Sequence, residues 1–199
     1  MKGMSFFPIL VLLLCFSSCE KSPEDAYELA KKDGSIEAYN SFMSRYPDSP
    51  FVQKIIAEKA DPIVIEIGKN MFSQDFKDKY YVMFRDEACR ACLRKAKNWK
   101  YKGYLPKSYY RFEIEETKRE CWIWIRKVSD NKYIIDLRAG AICHCYRVNG
   151  SREEFGERKY IDFIYEVIFE NSLKPKIIEM PVKDYKYPDG DLKEIYLDE

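Results

Sequence analysis

The chain is predicted to be an α+β protein, with an N-terminal helical hairpin followed by an antiparallel sheet packed on a long helix. Three observations predict this. Residues 22–60 carry apolar side chains at helical spacing between capping residues. Residues 75–99 repeat a single apolar stripe over several turns. Beyond about residue 110 the pattern changes to alternation in short runs separated by turn residues.

The chain opens MKGMSFFPILVLLLCFSSCEKS. Lys2 precedes an apolar run from about Phe6 to Phe16, and small Ser17 and Ser18 lead into Cys19 and the charged Glu20 and Lys21. A basic start, a short apolar stretch and a small-residue exit predict a secretory signal peptide over residues 1–18. The run is roughly half the ~20 residues that span a bilayer, and Pro8 disfavours a stable helix within it. The segment FSSC, ending at Cys19, resembles the lipid-attachment motif of bacterial lipoprotein precursors. That resemblance implies cleavage before Cys19, a diacylglycerol on its sulfur, and loss of Cys15 with the leader. Phe16 stands where that family usually has Leu. Each buried methylene contributes about 0.8 kcal/mol, so several acyl chains anchor a protein firmly. The resemblance thus implies a membrane-anchored lipoprotein of the bacterial cell envelope, facing periplasm or exterior, with other envelope proteins as candidate partners.

The folded body is expected to start at Ser22-Pro23-Glu24-Asp25, a cap followed by proline and acids. Ala26, Leu29 and Ala30 continue it, and Gly34 ends it. Ser35 caps a second helix with Ile36, Tyr39, Phe42 and Met43 on one face. After RYPDSP, Ser49 and Pro50 start a third with Val52, Ile55 and Ile56. Within this region Ala38, Tyr39, Phe42, Tyr46, Pro47, Ser49, Phe51 and Ile55 resemble a tetratricopeptide-type unit. Repeats of that kind bind peptides or partner proteins in a groove. No second copy follows at a period near 34 residues, and about three are needed for an array. A hairpin packed on the rest of the protein is therefore the favoured reading. Residues 61–74 admit two readings: PIVIEIG alternates as a strand would, yet its apolar residues equally extend a helix.

In the next element Phe76, Tyr80, Phe84, Ala88, Cys92, Lys95 and Trp99 lie close to one stripe, with Met83 and Ala91 beside it. Gly103 and Pro106 close it. Then Tyr110, Phe112 and Ile114 alternate with charged residues, the polar ETKRE intervenes, and CWIWIRKV, YIIDLR and AICHCYRV follow, the first two separated by the turn SDNK. A long turn, NGSREEFGER, precedes KYIDFIYEVIF, which places Ile161, Phe163, Tyr165, Val167 and Phe169 on one face. PKIIEM is a candidate last strand. A helix cradled by a twisted sheet resembles cystatin-like and nuclear transport factor-like layouts, a likeness of element order that carries no function. The predicted organisation is a signal peptide (1–18), a lipid-anchored tether and helical, tetratricopeptide-like segment (19–60), and an α+β domain (61–199).

Composition narrows the function. The 199 residues hold 34 Lys and Arg against 33 Asp and Glu, and only Lys2 among them lies in the leader, so the mature chain is neutral. No field recruits nucleic acid. Hydrophobic residues make up 46% and aromatics 16%, enough for a packed core and too many for disorder.

Candidates for chemistry are few. Cys89 and Cys92 form a CxxC, a redox or half-zinc spacing. It falls inside a helical pattern rather than at a helix N-terminus, and Cys92 sits on the apolar stripe. In Cys143-His144-Cys145 a strand would place the two cysteines on one face and His144, the single histidine, on the other. Cys89, Cys92, Cys143 and Cys145 are thus candidate zinc ligands if helix and strand meet. In an oxidising compartment thiols more often form disulfides, with Cys121 a candidate partner for Cys143 or Cys145. Excluding Cys15 and Cys19, five cysteines remain, an odd number. Trp122 and Trp124 share one face of a strand, either as core or as a stacking platform for a ligand. There is no GxSxG and no glycine-rich phosphate loop.

The leading expectation is a non-catalytic envelope protein acting by protein–protein interaction or scaffolding, with no catalytic residues and no cofactor beyond the lipid on Cys19. The first alternative is a ligand-binding module with an aromatic pocket between helix and sheet. The second is a thiol-redox or zinc protein.

Overall fold

The computed structural model describes residues 22–98, 112–148, 154–184 and 193–195. The leader with Cys15 and Cys19, and the expected roles of Trp99 and Tyr110, lie outside them. Among the described residues four helices precede the strands: α1 (Pro23–Asp33), α2 (Ile36–Arg45), α3 (Pro50–Met71) and α4 (Gln74–Asn98). The strands are β1 (Phe112–Arg119), β2 (Trp122–Ser129), β3 (Lys132–Arg147), β4 (Glu154–Ile168), β5 (Lys176–Met180) and β6 (Lys193–Ile195). All pairings are antiparallel and the class is α+β.

Each of the first three helices opens on a serine. Ser22, Ser35 and Ser49 accept from the backbone N–H of Asp25, Ala38 and Phe51, satisfying donors the helix cannot. Gly34 ends α1 with φ at +75°, the left-handed conformation that glycine adopts at no steric cost. The ambiguity at residues 61–74 resolves as helix. Val52, Ile55, Ile56, Ala60, Val64 and Gly68 form one buried stripe that runs past Pro62, so continuous packing outweighs the hydrogen bond that Pro62 cannot donate. The expected boundary at 60/61 consequently falls inside α3.

The sheet runs β5-β4-β3-β2-β6, with β1 also paired to β3. Arg119 faces Ala141 and Trp122 faces Arg138, so β1 and β2 keep one register along the same edge of β3. They behave as a single strand interrupted at Glu120 and Cys121, where the Glu120 N–H donates to the Gly140 carbonyl. The two runs read separately as YIIDLR and AICHCYRV are likewise one 16-residue strand, and the polar ETKRE is largely strand as well. Such a strand is about 50 Å long.

Odd-numbered residues of β3 face the helices, and they serve two clusters. Tyr133, Ile135 and Leu137 join Tyr27, Tyr39, Phe42, Met43, Ile55, Ile56 and Val64 in the main core. Tyr27 stacks on Phe51 with ring centres 4.3 Å apart. Asn40 pins α2 to the 169–174 segment, its side-chain oxygen accepting from the Leu173 N–H at 2.6 Å and the Ser172 hydroxyl at 3.1 Å. The helices thus pack their apolar side on the sheet. Farther along, Ala141, Cys143 and Cys145 meet Ala88, Cys92 and Ala96 of α4 in a second cluster. The predicted stripe of α4 faces the sheet at Phe76, Tyr80, Phe84, Ala88 and Cys92, whereas Lys95 lies at its exposed edge, its ammonium bonded to β4, and Met83 is 56% exposed.

Candidate functional site

Small side chains build the first candidate site. A helix facing a sheet through Ala88, Ala96 and Ala141 comes closer than one facing it through leucines, and the cysteines occupy the gap. On β3, Cys143 and Cys145 share the helix side because they are two residues apart. On α4, Cys89 and Cys92 are one turn apart. The Cys92 Sγ lies 2.6 Å from the Cys145 Sγ and donates to the Phe155 carbonyl at 3.2 Å. Cys89 is within hydrogen-bonding reach of Cys143. Beside them Lys95 bridges α4 to β4, donating to the Gly156 carbonyl at 3.1 Å and pairing with Glu157 at 2.8 Å.

Burial pushes the Cys145 thiol up to about 12, with help from the hydrogen bond to Cys92. Burial, then Cys89, raises Cys143 as well. A reactive thiol needs the opposite shift. Residues 89–92 also sit well inside α4, away from any helix N-terminus. Zinc fits poorly. Two thiolates on one tetrahedral zinc stand about 3.8 Å apart, given zinc–sulfur bonds of ~2.3 Å. Among the described residues no group of three or more His, Cys, Asp or Glu side chains is placed to hold a metal ion.

Cys121 lies elsewhere. It is level with Ala139 in the register, four residues from Cys143, or about 14 Å along the strand. A disulfide needs Cα atoms within about 7 Å, so the expected pairing of Cys121 with Cys143 or Cys145 is not made in this fold. Burial raises the Cys121 thiol too. His144 falls on the opposite face from Cys143 and Cys145, as strand geometry requires, beside Gly156.

The second candidate is on that opposite face. Trp122 and Trp124 stack with ring centres 4.3 Å apart. The Arg126 guanidinium is 4.9 Å from the Trp124 ring centre. Arg138 is 4.8 Å from that of Trp122 and 3.6 Å from that of Tyr160. Arg138 is held by a two-pronged bond to Asp162, at 2.6 and 2.9 Å. Trp124 and Tyr160 remain 39% and 41% exposed. The tryptophans are therefore neither core nor bare: cations and each other occupy much of their ring surface. Between helix and sheet the aromatics pack together, Phe163 against Phe76 and Tyr80 at 5.7 and 5.4 Å. A cleft of about 620 Å³ opens between α2 and the 169–174 segment, lined by Glu37, Asn40, Ser44, Ser172 and Lys174 among others.

Sequence reasoning missed one polar cluster. Asp61 of α3 accepts from the Tyr133 hydroxyl and from Lys127 at 3.3 Å. Burial, the Asp61 hydrogen bond and the Asp61 charge raise Tyr133 above the usual phenol range. Burial opposes the charge on Lys127, but hydrogen bonds with Asp130, Asp61 and Tyr133 outweigh it and hold the ammonium above its ordinary value. No local signal marked Asp61, because Glu58, Lys59 and Glu66 are charged in the same helix. No family model matches the chain, and no curated protein or solved structure matches it.

Proposed function

We propose that this chain is a lipid-anchored protein of the bacterial envelope, of non-catalytic type, that works by contact with other proteins. The observation that carries the reading is the FSSC segment ending at Cys19, followed within four residues by a capped helix at Pro23. A leader, an acylation site and an immediately folded body are what a surface-tethered domain needs. Buried thiols held at raised pKa values support a structural use of the cysteines rather than a catalytic one. The half-exposed Trp124 and Tyr160, bracketed by arginines, supply the aromatic and guanidinium chemistry enriched at protein interfaces.

The test is the intact mass of the protein extracted from its native host, beside a Cys19→Ala variant. A chain beginning at Cys19 and carrying acyl groups, lost in the variant, is the expected result. An uncleaved or unacylated chain refutes the anchor.

A further inference from the structure

We propose that the mature protein carries two disulfides, Cys89–Cys143 and Cys92–Cys145, that rivet α4 to β3 and leave Cys121 as a thiol. The placement carries the argument. Four cysteines meet in a cluster whose other buried members are alanines, ringed by Tyr81, Phe84, Leu93 and Phe155, so the centre of the contact has room for sulfur. One helix turn separates the cysteines of α4 and two residues separate those of β3. The two spacings run side by side and present two rungs, in the order 89 to 143 and 92 to 145. The second rung already has its sulfurs 2.6 Å apart, and the first is in hydrogen-bonding reach. The close approach needed for a helix-to-strand bridge is provided by Ala88, Ala96 and Ala141.

Each bond forms from two thiols that together lose two protons and two electrons. The acceptor is a disulfide-bearing oxidant, which is reduced to two thiols by exchange. The proposal rests on the envelope reading only for the supply of that oxidant in the cell. In solution, glutathione disulfide does the same chemistry.

The experiment takes the protein from its native host, unfolds it in denaturant so that burial no longer shields any thiol, labels thiols with an alkylating reagent before and after reduction, and maps each cysteine by mass spectrometry. A parallel sample is first reduced and then incubated with glutathione disulfide. The expected result is that Cys121 labels without reduction in the native sample and labels or carries glutathione in the second, while Cys89, Cys92, Cys143 and Cys145, linked to one another, label only after reduction in both. Protection in the glutathione sample alone overturns the disulfides of the mature protein and leaves only a pairing that the fold permits. Labelling of the four in both samples overturns the proposal, as does protection of Cys121 in the native sample or a link from Cys121 to another cysteine in either. Two double variants fix the connectivity. Cys89→Ser with Cys143→Ser keeps one cross-link, and Cys89→Ser with Cys145→Ser keeps none. Links from Cys89 to Cys92, or from Cys143 to Cys145, in the unsubstituted protein also overturn it. The peptide containing Cys19, read in the same run, tests the lipid anchor separately.

Discussion

Replacing Gly140 by alanine is expected to damage the sheet far more than its one added methyl suggests. A Cβ built there stands 2.1 Å from the Lys159 carbonyl oxygen, 2.6 Å from the Tyr160 Cα and 2.7 Å from its Cβ. Ordinary contact begins at 3.4 Å, so β3 and β4 must part by more than an ångström, and the obstruction is backbone with no rotamer to yield. Gly140 also holds the Glu120 N–H at the interruption between β1 and β2. Opening the ladder there weakens two or more buried backbone bonds, each costing roughly 1–3 kcal/mol when left unmade. The expected loss is about 3–4 kcal/mol, or about 10 °C in Tm for a chain of this size. Gly68→Ala is the control. Its Cβ meets the Ile125 Cδ1 at 2.7 Å and the Ile123 Cδ1 at 3.1 Å, both ends of side chains that can turn. Overpacking of about 1–2 kcal/mol is partly offset by about 1 kcal/mol of helix propensity. Urea denaturation of the three proteins, followed by circular dichroism, decides the matter. A Gly140→Ala protein within 0.5 kcal/mol of the parent, or one less damaged than Gly68→Ala, would refute the close strand approach on which this reasoning depends.

Other perturbations follow from the same contacts. Ile56→Ala, at a position with no exposed surface in the main core, should cost about 2–5 kcal/mol in denaturant unfolding. Asn40→Ala strips the Leu173 N–H and the Ser172 hydroxyl of their acceptor and should cost about 1–3 kcal/mol. Tyr133 and Lys127 both hold their protons more tightly when folded than at their ordinary values of 10.0 and 10.5. Their contributions are complete below pH 10 and fade as the unfolded chain loses protons that the native state retains. Urea midpoints should therefore fall above pH 10, less steeply in Tyr133→Phe; a flat profile from pH 9 to 12 contradicts the cluster. Reducing the proposed Cys92–Cys145 bond, which joins positions 53 apart, should lower stability by about 4 kcal/mol by chain entropy, seen as a lower melting temperature in reductant.

Much of the helical half was legible because its signals are local. Ser22, Ser35 and Ser49 cap as their positions announce, and Gly34 stops α1 as a glycine there should. The alternation of β2 and β4 was equally plain. What escaped depends on distant partners. PIVIEIG is two-sided in isolation, and only the core around Val64 and Gly68 makes it helix. ETKRE carries no apolar alternation, and its strand is set by pairing with β3. Ala139 and Gly140 looked like a gap between strands because small residues carry no pattern of their own. The shared side of Cys143 and Cys145 was readable from spacing, but that Cys89 and Cys92 face them was not, since it depends on where α4 lies. Cys121 was given the wrong neighbours for the same reason. Asp61 became intelligible only when Tyr133 and Lys127 arrived from 72 and 66 residues away.

The long strand β3 lends its first half to a core of aromatic and aliphatic side chains and its second half to one of alanines and cysteines. The second cluster buries fewer and smaller side chains than the first, so it can open while the first stays shut. The protein then has a soft end and a hard end along one continuous backbone. Amide hydrogens of residues 133–138 should exchange near the rate of global unfolding, and those of residues 141–146 faster, the gradient steepening in reductant. A strand that is uniform by hydrogen bonding would thus be divided by its side chains into two parts that loosen on different timescales.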